Sequence, residues 1–153
     1  MISRLVIITI LTLTCCRAKE NSYYQNFLKY LNEQHNLKVS YTSNDFFVLL
    51  DIHQCDDCLK SLIDILKTSQ IECAKIIVAG KNDIEAQKLK QVLQPSNLFY
   101  YDKSKAYLQY EVGFFLAGIV HIADGESQLY LDYRASQGEQ LKLYLQQVDL
   151  CNE

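Results

Sequence analysis

One stretch constrains this chain more than any other: Phe46 to Ile52, then His53-Gln54, then Cys55-Asp56-Asp57-Cys58, then Leu59 to Leu66. Phe46 to Ile52 is apolar except for Asp51, as expected of a central strand covered on both faces. His53-Gln54 makes a short polar turn. Beyond it Cys58, Leu62, Ile65 and Leu66 fall on one helical stripe, which Leu59 and Ile63 widen. A buried strand thus delivers the chain straight into a helix that opens with Cys-x-x-Cys.

Two intervening residues on the first turn of a helix bring two sulfurs within disulfide range. At a helix N-terminus the unpaired N–H groups and the dipole favour a thiolate, and the thiolate is the form that attacks a disulfide. Two other uses of the motif compete. It can be half of a zinc site, which needs two more ligands; Cys73, Cys151, His53 and His121 are the candidates, and they form no second pair. It can also be a static bridge of the kind common in exported chains.

The remaining pattern alternates helices and strands. Ser22 with Gln25 reads as a capping box ahead of Tyr24, Phe27, Leu28 and Leu31, predicting a helix to about His35. Leu37, Val39 and Tyr41 alternate and predict an edge strand, with a turn at Thr42 to Asp45. Lys75 to Ala79 reads as a second buried strand. Asn82 with Glu85 caps a helix carrying Ala86, Leu89, Val92 and Leu93, which Pro95 stops. Leu98 to Tyr101 is a third strand. Asp102 to Leu116 has no clear period; its Tyr107, Tyr110, Phe114 and Phe115 are expected in the core. Gly118 to Ala123, an Asp124-Gly125 turn and Gln128 to Tyr133 form a hairpin. Ser136 with Glu139 caps a terminal helix with Leu141, Tyr144, Leu145 and Val148 on its apolar face. Such an order implies parallel strands with right-handed crossovers and an antiparallel hairpin at one side.

The strand, the Cys55-x-x-Cys58 helix start and this element order resemble the thioredoxin superfamily, from about residue 37 to 149. The added helix and strand between the two halves resemble its membrane-anchored TlpA and peroxiredoxin branch. The resemblance implies a three-layer α/β/α sandwich with a mixed central sheet. It also implies a thiol–disulfide oxidoreductase in which Cys55 attacks and Cys58 resolves, with no organic cofactor and with protein thiols or disulfides as partners. His53, two residues before Cys55, is either a supporting base or only a turn residue. Three family features differ. Gln54 and Asp57 stand where thioredoxins carry Trp and Pro. No proline stands near Ala117, the place of the family's cis-proline. Leu49 occupies the place of its buried acid, with Asp51 two residues on and on the same strand face. Asp56 and Asp57 either disfavour the thiolate, making the disulfide harder to reduce, or simply satisfy helix-end N–H groups. The Pro-x-x-x-Thr-x-x-Cys pattern of the resembling peroxidases is absent.

The front of the chain bears on location. Arg4 gives a positive start, Leu5 to Thr14 is apolar, and Cys15-Cys16 follow. An apolar stretch of about ten residues is too short to span a bilayer and reads as a signal-peptide core. Its cysteine ending resembles a bacterial lipoprotein signal, with Cys16 (or Cys15) as the lipidated residue; ordinary cleavage near Ala18 is the alternative. The division expected is 1–16 signal, 17–21 tether and 22–153 domain, anchored by lipid in the bacterial cell envelope and facing away from the cytoplasm. An envelope electron donor or acceptor is then implied. A net charge of −3 with interspersed signs carries no basic patch for nucleic acid. Cys73 and Cys151 either pair with each other or stay unpaired.

Overall fold

The computed structural model describes residues 22–53, 56–69, 71, 73–93, 97–115, 117–148 and 150. The expected signal, tether and lipidation cysteines, together with Gln54, Cys55, Pro95, Leu116 and Cys151, lie outside the described residues. A first helix, α1, covers residues 22–35. Then come β1 (Asn44–Asp51), α2 (Asp56–Thr68), β2 (Lys75–Ala79), α3 (Asp83–Val92), β3 (Leu98–Asp102), β4 (Ala117–Ala123), β5 (Glu126–Asp132) and α4 (Gly138–Gln147).

The sheet has the order β3-β2-β1-β4-β5. β1, β2 and β3 run parallel, while β4 pairs antiparallel with both β1 and β5. The apolar run Phe46 to Leu50 therefore lies in the middle, and each of its residues is at most 1 % exposed. The chain steps the same way from β1 to β2 to β3, so two right-handed crossovers place α2 and α3 on one face. There Phe46, Val48, Leu50, Ile76, Val78 and Ile119 meet Leu62, Ile65 and Leu66 of α2, Leu89 of α3, and Leu141 and Leu145 of α4. The other face carries Phe47, Leu49, Ile77, Ala79, Val120 and Ile122. It is covered by Tyr24, Phe27, Tyr30 and Leu31 of α1 and by Ala106, Tyr107, Val112 and Phe114 of the 103–115 segment. This is the expected three-layer α/β/α sandwich with a mixed central sheet.

Local signals explain most boundaries. The Asn82 side chain accepts from the Ile84 and Glu85 N–H groups and caps α3. Asp124 and Gly125 both have positive φ (54° and 74°), the backbone of a tight hairpin turn. Gly118 has its Cα against the Phe114 ring, where any Cβ would come within 2.2 Å of a ring carbon.

The structure corrects several expectations. Residues 36–40 are not a strand: β1 already has a neighbour on each side, and Leu37 and Val39 instead pack against the aromatic cluster on the α1 face. Ser22 is itself helical rather than a cap. Ser136 does not cap α4 either. A short 3-10 turn (Ala135–Gln137) precedes that helix, and the Gln137 side chain reaches back to accept from the Arg134 N–H at 2.8 Å. The segment with no clear period holds a 3-10 turn, Ala106–Leu108. Its Tyr107 and Phe114 are buried as expected, but Phe115 is 73 % exposed.

Candidate functional site

The three parallel strands end on the same side of the sheet, which is where ligands and chemistry gather in open α/β sheets. β1 ends at Asp51, whose side chain accepts from the His53 N–H at 3.0 Å. That bond closes a turn immediately ahead of the Cys-x-x-Cys. The Ile52 N–H continues the ladder to the Ala79 carbonyl at 3.1 Å. The turn rests on Gly80, where a Cβ would meet the Ile52 side chain at 2.5 Å and φ is +147°; only glycine suits both conditions. His53 is exposed, and its Nε2 accepts a long, weak bond from the Lys81 N–H at 3.4 Å.

Cys58 sits on the first turn of α2, is 7 % exposed and is part of a disulfide. Asp57 beside it is exposed, a placement that suits the positive end of the helix. Next to this turn lies an open groove of about 270 Å³ between α2 and α3, lined by Ile52, Leu59, Ile63, Leu89 and Val92, with Glu85 and Lys88 at its rim. Among the described residues, no cluster of three His, Cys, Asp or Glu is placed to hold a metal ion.

Asp51 shares its face of the sheet with Leu49, as the strand alternation requires, and so lies on the side opposite α2. Its side chain is fully buried. Lys105 Nζ donates to both of its oxygens at 2.8 Å, and the Tyr107 hydroxyl donates to one at 2.7 Å. Burial on its own would raise the Asp51 pKa. The bonds from Lys105, Tyr107 and the His53 N–H outweigh that and hold it below the ordinary carboxylate value. Every lone pair is thus engaged in holding the turn and the ion pair.

A second buried carboxylate lies one strand further out. Asp51 is in register with Ala79, and Ala79 with Asp102. Asp102 accepts from the Ala106 N–H (2.9 Å), the Tyr107 N–H (3.2 Å), the Ser104 hydroxyl (3.0 Å) and the Tyr30 hydroxyl (3.0 Å). It thereby organises the 3-10 turn that presents Lys105 and Tyr107 to Asp51. His35 Nε2 lies 3.0 Å from the Tyr30 oxygen. Because that hydroxyl donates to Asp102, the imidazole is its donor. Burial lowers the His35 pKa, against the pull of Asp102.

Of the residues singled out in the sequence, the structure gathers Asp51, His53 and Cys58 at one end of the sheet. His121 is elsewhere: it is buried between β4 and α4, with Nδ1 2.5 Å from the Tyr144 hydroxyl and Nε2 2.6 Å from Asn44 Oδ1. Cys73 stands at the entry to β2, at the opposite end of the sheet from Cys58. Lys105, Tyr107, Asp102 and Tyr30 were not apparent as site residues. The one local hint was that two apolar strands, β1 and β3, each end in Asp.

No family model and no curated protein matches this chain. Among solved structures it is similar to a secreted disulfide oxidoreductase of Mycobacterium tuberculosis homologous to E. coli DsbE, with 10% sequence identity and a TM-score of 0.50, covering 69% of this chain and 84% of that one. A likeness at that identity speaks for the fold, which is thioredoxin-like.

Proposed function

We propose that this chain is a thiol–disulfide oxidoreductase of the bacterial cell envelope, working through the Cys55–Cys58 couple and anchored by a lipid on Cys16 (or Cys15). The observation that carries the reading is Cys58, which is disulfide-bonded on the first turn of the helix that follows the central strand. Cys55, three positions earlier, is its partner in this reading. Acting as reductant, the Cys55 thiolate attacks a disulfide of a partner protein. One partner thiolate leaves and a mixed disulfide forms. Cys58 loses its proton and attacks the Cys55 sulfur, releasing the second partner thiolate. Two electrons pass to the partner, and the Cys55–Cys58 bridge is restored; the oxidising direction reverses these steps. His53 supports the couple as a surface base within reach of the turn, and Asp51 supports it by holding that turn in place. An envelope donor or acceptor of electrons closes the cycle, and the resemblance to the TlpA branch belongs to this reading.

A second reading is a binding lipoprotein with a static bridge. The burial of Cys58 and the residues Gln54 and Asp57 in place of the family's Trp and Pro favour it. Equilibration of the protein in graded dithiol buffers, with alkylation read at Cys55 and Cys58, separates the two. A reversible couple between about −120 and −270 mV is the range of known oxidoreductases, whereas a bridge that persists below about −300 mV is structural. A Cys55→Ser variant abolishes turnover under the first reading and affects only stability under the second.

A further inference from the structure

The chain holds a second disulfide, remote from the first. Cys73 is disulfide-bonded, as is Cys58, yet the two cannot be joined to each other. Cys58 is on the first turn of α2, and Cys73 comes after that helix has run back along the sheet. From Cys58 to the helix end at Thr68 the chain rises about 15 Å, while a disulfide needs Cα atoms within about 7 Å. Cys58 stands beyond the end of β1, where Asp51 pairs with Ala79; Cys73 stands before the start of β2, where Lys75 pairs with Phe47.

We infer that the partner of Cys73 is Cys151, so that the end of the chain is stapled to the entry of β2. Cys73 Sγ lies 3.2 Å from the backbone carbonyl oxygen of Leu150. A bridged sulfur has no proton to donate, so this is a packing contact, and it puts the sulfur beside the peptide group that leads into Cys151. Leu150 is itself buried in the core of the α2 face, which fixes that peptide group. Cys55 is three residues from Cys58 in sequence, and Cys58 stands at the other end of the sheet. Bridge formation transfers two electrons: the Cys73 and Cys151 thiols give up two protons and two electrons, and a small-molecule or protein disulfide takes them up to become two thiols. The staple closes a loop through β2, α3, β3, β4, β5 and α4. It anchors β2, whose other end receives the Ile52 N–H of the turn before Cys55.

Trypsin separates the candidates cleanly, because its sites place Cys73 in peptide 68–75, Cys151 in 143–153, Cys55 with Cys58 in 39–60, and Cys15 with Cys16 in 5–17. The test is a mass-spectrometric map of the full chain, alkylated before digestion and run with and without reductant. The expected result is peptide 68–75 joined to 143–153, with the pair lost on reduction. A Cys73 that is alkylated, joined to 39–60 or 5–17, or joined to a second copy of 68–75 overturns the proposal. A Cys151→Ser variant makes Cys73 alkylatable if the inference is right and leaves it bridged if not. In graded dithiol the staple resists reductant at least about tenfold beyond what opens the Cys55–Cys58 bridge, as structural disulfides do relative to catalytic ones; equal lability overturns the division of roles. The map reports on Cys73 whether or not the Cys55–Cys58 couple is redox-active, so the two readings fail independently.

Discussion

Replacing Lys105 with Met removes one partner of a buried ion pair and keeps the length of the side chain. Lys105 occupies the left-handed region (φ 55°), and Met bears the same backbone cost, so the substitution isolates the charge. The two partners are unequally placed: the Asp51 side chain has no exposure, while that of Lys105 is 23 % exposed. The group left behind in K105M is therefore a carboxylate with no route to water. Breaking a buried pair in this way costs about 3–5 kcal/mol. Asp51 keeps its bonds from Tyr107 and the His53 N–H, which points to the lower end. A loss of about 3 kcal/mol, with m near 1.5–2 kcal/mol/M, lowers the urea midpoint by roughly 1.5–2 M. The reverse variant, Asp51→Asn, leaves a lysine able to turn outward and is expected to cost about 1.5–3 kcal/mol, the worth of a hydrogen bond to a charged group.

The pH dependence supplies a sharper check. In the wild type the Asp51 pKa is depressed, so its contribution is present above the ordinary carboxylate range and is lost as pH falls through the lowered value. In K105M burial is no longer offset by the cation, and the pKa moves up. The variant then regains part of its deficit on acidification, while the carboxyl takes up its proton. Urea unfolding of both proteins at pH 7 and pH 5 measures this. A deficit below about 1 kcal/mol, the size expected of a surface pair, or one that does not shrink at pH 5, would refute the reasoning.

His121 is buried and His35 half-buried, and this loss of solvent lowers both pKa values. The unfolded chain therefore binds protons first, and stability should fall as pH drops below about 6.5; proton NMR titration placing His121 above that value would contradict this. Gly80→Ala should drive a methyl into Ile52 at a positive φ and cost at least about 1–3 kcal/mol, with a shifted His53 ring resonance as the sign that the turn has moved. Asn82→Ala should cost about 1 kcal/mol through the lost α3 cap, read by urea unfolding with no change in the thiol–disulfide equilibrium.

The sheet was legible in the sequence because its central strands are uninterrupted apolar runs and its hairpin turn has a residue pair that tolerates positive φ. Residues 36–40 misled because alternation reports burial on one side, not strand pairing, and Leu37 and Val39 gain burial without a ladder. The 103–115 segment gave no period because its order comes from a carboxylate: Asp102 gathers two N–H groups and two hydroxyls. The candidate site was legible where it is local, in Cys58, His53 and Asp51. Lys105 reaches Asp51 across 54 residues, and no feature of either neighbourhood announces the pair.

The central place of β1 also governs the order in which the molecule can form. One of its neighbours, β2, is made soon afterwards, but the other, β4, comes some 70 residues later in the chain. Until then Phe46 to Leu50 presents an open hydrogen-bonding edge on a segment that is strongly apolar, uncharged and free of proline, the composition that favours pairing between chains. Asp45 and Asp51 flank that segment, where charges act as gatekeepers against such association. In the finished fold the same two residues are held by Lys75 and Lys105. Each aspartate thus has two successive roles, guarding the run while it is open and joining an ion pair once the sheet has closed around it.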